Sequence, residues 1–191
     1  MGFTRAQLES FRDGVLPDLL GPTVKLLLVG INPGLHAVAT QTHFGRRTNR
    51  FYPALYAAGI TDHVIDASNG FVASDVAHLL ERGIGITSLV ARATARADEL
   101  EPHELVAGGL ALAERVARVG PVVTAVLGIT AFRTAFGNRD AGVGRQPADF
   151  NGSQLWVVPN PSGLNAHASV AGLGAAYREV AVAAGIDVYP R

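Results

Sequence analysis

No cysteine occurs anywhere in the 191 residues of this chain, and that absence removes several chemistries at once. Disulfides, thiolate nucleophiles, cysteine-ligated zinc and iron–sulfur clusters are all excluded. An excess of one charge is missing as well. Sixteen basic residues face sixteen acidic ones, so no global field draws the protein to a polyanion, and any contact with nucleic acid must be made by a local surface. The apolar runs fall far short of the ~18 residues that span a bilayer. The opening residues, Met1-Gly2-Phe3-Thr4-Arg5, lack the basic-then-apolar order of a secretory signal, which places the protein in the cytoplasm. The histidines at 36, 43, 63, 78, 103 and 167 show no ligand spacing such as His-Glu-x-x-His, so no metal is expected. Gly30-Ile31-Asn32-Pro33-Gly34 lacks the Gly-x-Gly-x-x-Gly spacing, no Gly-Lys-Ser/Thr follows it, and there is no Gly-x-Ser-x-Gly elbow. No cofactor is expected.

What is present is a chain 48% apolar and 17% charged, too apolar to remain disordered and of a length that suits one domain. It reads as a single domain over 1–191, with residues 1–20 as an N-terminal helical extension. Thr4 and Gln7 form a capping box, with Phe3 and Leu8 placed as a hydrophobic staple, and the helix they start runs to near Asp18. Val24 to Val29 is a short, almost wholly apolar run between Gly-Pro and Asn-Pro-Gly, which is the pattern of a strand buried on both faces. Residues 31–48 read as irregular. A helix follows from Asn49 to Ala58, and 60–72 are ambiguous. Ser74 caps a helix through Arg82, and Ile84 to Val90 is a second strand. Pro102 and Gly120 bracket a helix carrying Leu105, Leu110, Ala113, Val116 and Ala117 on one side. Val122 to Leu127 is a third strand, Thr130 to Phe136 a short helix, 137–152 a loop, Gln154 to Val158 a fourth strand, and Ala168 to Ala184 a last helix. Buried strands alternating with helices give an α/β fold with a parallel or mixed sheet.

Ligands of such sheets sit beyond the carboxyl ends of the strands. Two of the four strands end in an Asn-Pro turn, Asn32-Pro33-Gly34 and Asn160-Pro161-Ser162. A following proline stiffens each asparagine and biases it away from the helical region, so its carboxamide is held before a ligand arrives. Gly30 and Gly34 allow a ligand close to the backbone. A carboxamide can accept from one partner and donate to another, but it takes no proton at neutral pH. The chemistry that suits it is one dominated by positioning, such as departure of a stable anion from a sugar with water capturing the oxocarbenium-like centre. Taken singly, each turn is equally an ordinary turn former.

Leu28-Val29-Gly30-Ile31-Asn32-Pro33-Gly34-Leu35 and Val158-Pro159-Asn160-Pro161-Ser162-Gly163-Leu164 resemble the two signature motifs of the mismatch-specific uracil-DNA glycosylases. This is the Mug branch, related to thymine-DNA glycosylase, of the uracil-DNA glycosylase superfamily. Phe44, Asn49-Arg50-Phe51, Gly85-Ile86-Thr87, Gly108-Gly109, Leu127-Gly128 and Trp156-Val157-Val158 fall at matching places, and the resemblance is best over 24–183. It implies a three-layer α/β/α sandwich around a short, mainly parallel sheet. It also implies a monofunctional enzyme that flips a base from duplex DNA and cuts its N-glycosidic bond. With no dimer face evident in the sequence, a monomer is expected.

By the same resemblance Asn32 orients the attacking water and Asn160 lies on the leaving-group side. Gly30, Ile31, Pro33 and Gly34 wall the base pocket, and Phe44 stacks on the flipped pyrimidine. Ser162, Gly163, Leu164 and Asn165 form the wedge that fills the vacated stack and meets the widowed guanine. Arg46 and Arg47 are candidates for phosphate contact, and Ser88 for a supporting position where some relatives carry a charge. Each residue also has a plainer role open to it: Phe44 as core, the arginines as a solvated pair, Asn49-Arg50 as a helix cap with an ion pair. The major uracil-excising branch of the superfamily has aspartate in place of Asn32, a tyrosine near Gly34 and histidine in place of Asn160. Asparagine and glycine here imply slower hydrolysis and a roomier pocket, open to ethenocytosine, thymine or related lesions opposite guanine. The chain departs from some relatives at Asn165-Ala166-His167, where they place an arginine. A mismatch-binding protein with little turnover is the alternative.

Overall fold

The computed structural model describes residues 2–165 and 168–191; Met1 and the Ala166-His167 pair named above lie outside them. Five strands form one sheet: β1 (Leu26–Gly30), β2 (Ile84–Ser88), β3 (Val123–Leu127), β4 (Gly144–Arg145) and β5 (Gln154–Val158). Their order is β2-β1-β3-β5-β4, and every neighbouring pair is parallel except β4 with β5. The two strands β1 and β3 are buried along their whole length, as expected for central strands covered on both faces.

Alternation along β1 divides the core between the two faces. Leu26 and Leu28 join Leu55 of α3 (Phe51–Ala57), Leu79 of α4 (Ala73–Glu81) and Tyr177 of α7 (Val170–Ala183). Leu27 and Val29 point the other way, to Leu112 of α5 (Pro102–Val119) and Phe132 of α6 (Ile129–Phe136). The result is the α/β/α sandwich anticipated from the sequence. A third, smaller cluster joins Leu16, Leu35, Val38 and Ala93 near the N-terminal helix α1 (Arg5–Glu9) and α2 (Leu35–Thr40). Among the described residues no helix is long and apolar enough to cross a membrane.

Several elements differ from the sequence reading, each for a local reason. The capping box of Thr4 and Gln7 is present, but α1 ends at Glu9 and not near Asp18. Beyond it Asp13 takes φ +61°, and Leu19 exchanges both backbone hydrogen bonds with Ile86, covering the edge of β2. The stretch 31–48 contains α2, whose Leu35, Ala37 and Val38 are buried; six residues are too few to display a helical period. Helix α4 starts one residue before Ser74, with Val72 at its cap and no side-chain capping bond. The supposed loop 137–152 carries the two-residue β4.

On α5 the buried positions are Gly108, Gly109, Leu112 and Val116, whereas Leu110 is 69% exposed. A Cβ on Gly108 would lie 2.6 Å from the Leu89 carbonyl oxygen, and one on Gly109 2.6 Å from that of Ala135. The packed face is therefore marked by glycine, which a search for large apolar side chains passes over. Helix α7 is capped by Ser169, which accepts from the Gly172 N–H at 3.0 Å.

Candidate active site

The four parallel strands bring Gly30, Ser88, Leu127 and Val158 to a single rim. Beyond it opens a cleft of about 1050 Å³. Asn32 and Asn160, 128 positions apart in the chain, both line this cleft. Parallel pairing of β1 and β5 on either side of β3 is what aligns their exit loops.

The Asn32 side chain is fixed by its nitrogen. Nδ2 donates to the Thr94 hydroxyl at 2.8 Å and to the Arg92 carbonyl at 3.1 Å. Both amide protons are thereby engaged, so Oδ1 is the atom left to accept from a water in the cleft. The anchoring segment is itself held to the β1 exit: Leu89 and Val90 donate to the Gly30 and Ile31 carbonyls, and Thr94 N–H donates to Pro33. Arg92 is fastened in turn by Glu104 at 2.6 Å and Asp13 at 3.0 Å. The Arg92 guanidinium holds the Glu104 carboxyl down to about 2.

Asn160 is fixed the opposite way round. Its Oδ1 accepts the Ser162 N–H at 2.9 Å, closing an Asx turn, which leaves Nδ2 as the group able to donate. Asn165 turns its amide back to the Asn160 carbonyl at 3.1 Å, and its N–H donates to Ser162. One asparagine thus presents an acceptor to the cleft and the other a donor.

Phe44 is half-buried and lines the cleft, with its ring stacked on Phe51 at 4.0 Å between centroids. It occupies φ +54°, a conformation uncommon for an aromatic residue and retained where the surroundings enforce it. Here Tyr52 donates to the preceding carbonyl of His43 at 2.7 Å, and a Cβ on Gly45 would lie 2.5 Å from the Ala67 carbonyl oxygen. A Cβ on Gly30 would approach Phe44 Cζ to 3.0 Å, so glycine there makes room for the ring. At Gly34 a Cβ would meet nothing within 4 Å; that wall is open. Burial pushes both His36 and His43 below the ordinary histidine value.

Leu164 is 73% exposed at the mouth of the cleft. Gly163 lies in an adjoining recess of about 200 Å³ with Ser162, Leu164 and Arg46, and a Cβ there would lie 2.5 Å from the Thr48 carbonyl oxygen. Ile31, Pro33, Ser88 and Arg46 also line the main cleft, whereas Arg47 and Asn165 do not. Both arginines are exposed, and neither forms an ion pair among the described residues. Ser88 sits at the end of β2 with its carbonyl held by Arg115 at 3.2 Å.

Three contributors escaped the sequence reading. Thr94 and Arg92 orient Asn32, but nothing in their neighbourhood marks them as partners of a residue some 60 positions away. Arg50, read as a cap with an ion pair, makes no ion pair among the described residues. Its guanidinium instead donates to the carbonyls of Ser162 and Asn165, each at 2.6 Å, and to that of Ala168. The cap-like bond comes from Asn49, whose Oδ1 accepts the Phe51 N–H. The N-terminal extension also borders the cleft, which Arg5, Leu8 and Arg12 line.

Residues 17–183 match the family model described as the uracil DNA glycosylase superfamily. The fold is similar to the solution NMR structure of a candidate uracil DNA glycosylase from Methanosarcina acetivorans, with a TM-score of 0.57 and 15% identity. That likeness covers 88% of this chain and 98% of the other.

Proposed function

This chain belongs to the uracil DNA glycosylase superfamily, and on that premise we propose that it is a monofunctional, mismatch-specific DNA glycosylase acting as a monomer on uracil opposite guanine. The observation that carries the reading is the convergence of Asn32 and Asn160 on one cleft with complementary free ends, an acceptor and a donor. In the reaction, the C1′–N bond breaks and its electron pair leaves with the pyrimidine. Asn160 Nδ2 donates to the ring oxygen on which charge develops, while Asn32 Oδ1 aligns the water whose oxygen bonds to C1′. The water's proton passes to solvent, and the products are the free base and an abasic site. Neither asparagine changes protonation, so rate enhancement comes from alignment and from preset dipoles.

Phe44 offers a ring face to the extruded base, and Leu164 is an exposed apolar side chain with no core to join. Insertion into the vacated stack compensates an unstacking cost of a few kcal/mol. Arg46 and Arg47 supply local positive charge despite the neutral total. The open wall at Gly34 supports a substrate range that includes thymine and ethenocytosine.

The test is a duplex carrying a single G:U pair, incubated with enzyme in excess and then treated with alkali. Strand scission at the uracil is expected, and Asn32→Ala should still bind the duplex without cutting it. A gel shift with no scission by the unaltered protein would leave only the mismatch-binding alternative. Repeating the assay with thymine, ethenocytosine and hypoxanthine, each opposite guanine and adenine, ranks the substrates.

A further inference from the structure

We propose that Asp62, His63 and His78 form a binding site for one divalent transition-metal ion, of which Zn²⁺ is the best match, away from the asparagine cleft. None of the three lines that cleft. Linear spacing conceals the site, because two ligands come from the turn after α3 and the third from α4, sixteen positions from Asp62.

One nitrogen or oxygen from each of the three residues lies within 4.8 Å of the other two. Asp62 Oδ1 is central, 2.6 Å from His63 Nδ1 and 3.5 Å from His78 Nε2. The imidazoles are 5.4 Å apart between centroids and inclined at 47°, so they converge without stacking. Among the described residues His78 Nε2 is sealed from solvent and makes no hydrogen bond, which is an unusual state for a buried polar atom. A cation between it and Asp62 would satisfy it.

The surroundings add a second argument. Asp75 is buried, and its Oδ1 takes the far nitrogen of His63, Nε2, at 2.9 Å. A carboxylate fixing the remote N–H of an imidazole, and so turning the other nitrogen toward a metal, is the recurrent support of histidine ligands. Asp75 and His78 stand three residues apart on one face of α4, while the Thr61 hydroxyl holds the His63 carbonyl at 2.8 Å and shapes the turn above them.

The donor set fixes the class of ion. Two imidazoles and one carboxylate suit Zn²⁺, Co²⁺ or Ni²⁺, whereas Mg²⁺ and Ca²⁺ take oxygen-rich shells. Tetrahedral Zn²⁺ with ligand bonds of ~2.0–2.1 Å places its donors roughly 3.4 Å apart. The His78–Asp62 separation already suits that geometry, and His63 has only to withdraw within its exposed turn. Water would complete the shell on the open side. Bound there, the ion would pin the 60–65 turn to α4.

Zn²⁺ titration of the full, tag-free chain by isothermal calorimetry tests the proposal, with Co²⁺ absorption reporting geometry. One equivalent should bind saturably, Co²⁺ should give the intense visible bands of a tetrahedral site, and excess Mg²⁺ should not displace it. Asp62→Asn, at an exposed position, and His78→Gln should each weaken binding about 10-fold or more. Absence of saturable binding would overturn the proposal, as would one-equivalent binding that survives unchanged in both variants. G:U cleavage assayed in parallel keeps the outcome separate from the glycosylase reading.

Discussion

Asn32 Nδ2 lies 2.8 Å from Thr94 Oγ1, and this contact determines which end of the carboxamide faces the cleft. The Thr94 hydroxyl passes its own proton on to the Arg96 carbonyl at 2.6 Å, so it acts toward Asn32 only as an acceptor. The loop that bears Asn32 thus has its polarity assigned from outside the motif.

Thr94→Val should keep the shape of this support and remove its acceptor. With one neutral hydrogen bond worth about 1 kcal/mol, single-turnover cleavage of a G:U duplex should fall roughly 3- to 10-fold. The dissociation constant for the duplex should hold steady, since Thr94 serves the water and not the DNA. A loss confined to binding would contradict the assigned role.

Arg50 is predicted to be the brace of the Leu164 loop. Arg50→Met leaves the carbonyls of Ser162, Asn165 and Ala168 without their donor and should cost about 1.5–3 kcal/mol in urea unfolding. Mismatch affinity should drop with it, because Leu164 is no longer presented in one position. Arg50→Lys should recover only part of both losses, as an ammonium cannot reproduce the planar fork.

Gly30→Ala should disturb the pocket more than the fold. The new methyl, 3.0 Å from Phe44 Cζ, forces the ring aside by a few tenths of an ångström. Displacing the stacking surface for the base should slow cleavage about 10-fold. Far-ultraviolet circular dichroism should not change.

Acid should loosen the support of Asn32. Glu104 titrates near 4.5 when free and about 2 beside Arg92. Its contribution to stability is full above the free value and lost as pH falls from there toward about 2. Urea midpoints measured from about pH 6 to about pH 3 should therefore decline, and Glu104→Gln should flatten that decline while lowering stability at neutral pH.

Much of the fold was legible because strand cores and helix ends are local signals. The apolar run ending at Gly30, the Thr4–Gln7 box, and the Pro102 and Gly120 boundaries all appear where the sequence puts them. Helix α2 and strand β4 were not legible, being too short for a period to emerge and stabilised by distant partners. The buried face of α5 was legible only in part, at Leu105 and Val116, for a related reason. Gly108 and Gly109 mark it by what they lack, and only the Leu89 and Ala135 backbones show why.

By itself the sequence determined two stiff Asn-Pro turns at the ends of buried strands, an aromatic twelve residues after the first and a leucine four after the second. Those are consequences of bonded geometry and side-chain type. Only the tertiary structure decided that both turns open on one cleft, that Asn32 shows it an oxygen and Asn160 a nitrogen, and that Arg50 clamps the leucine loop. A carboxamide reads the same from either end in a sequence. Its orientation is set by hydrogen-bond partners that the fold delivers from elsewhere in the chain.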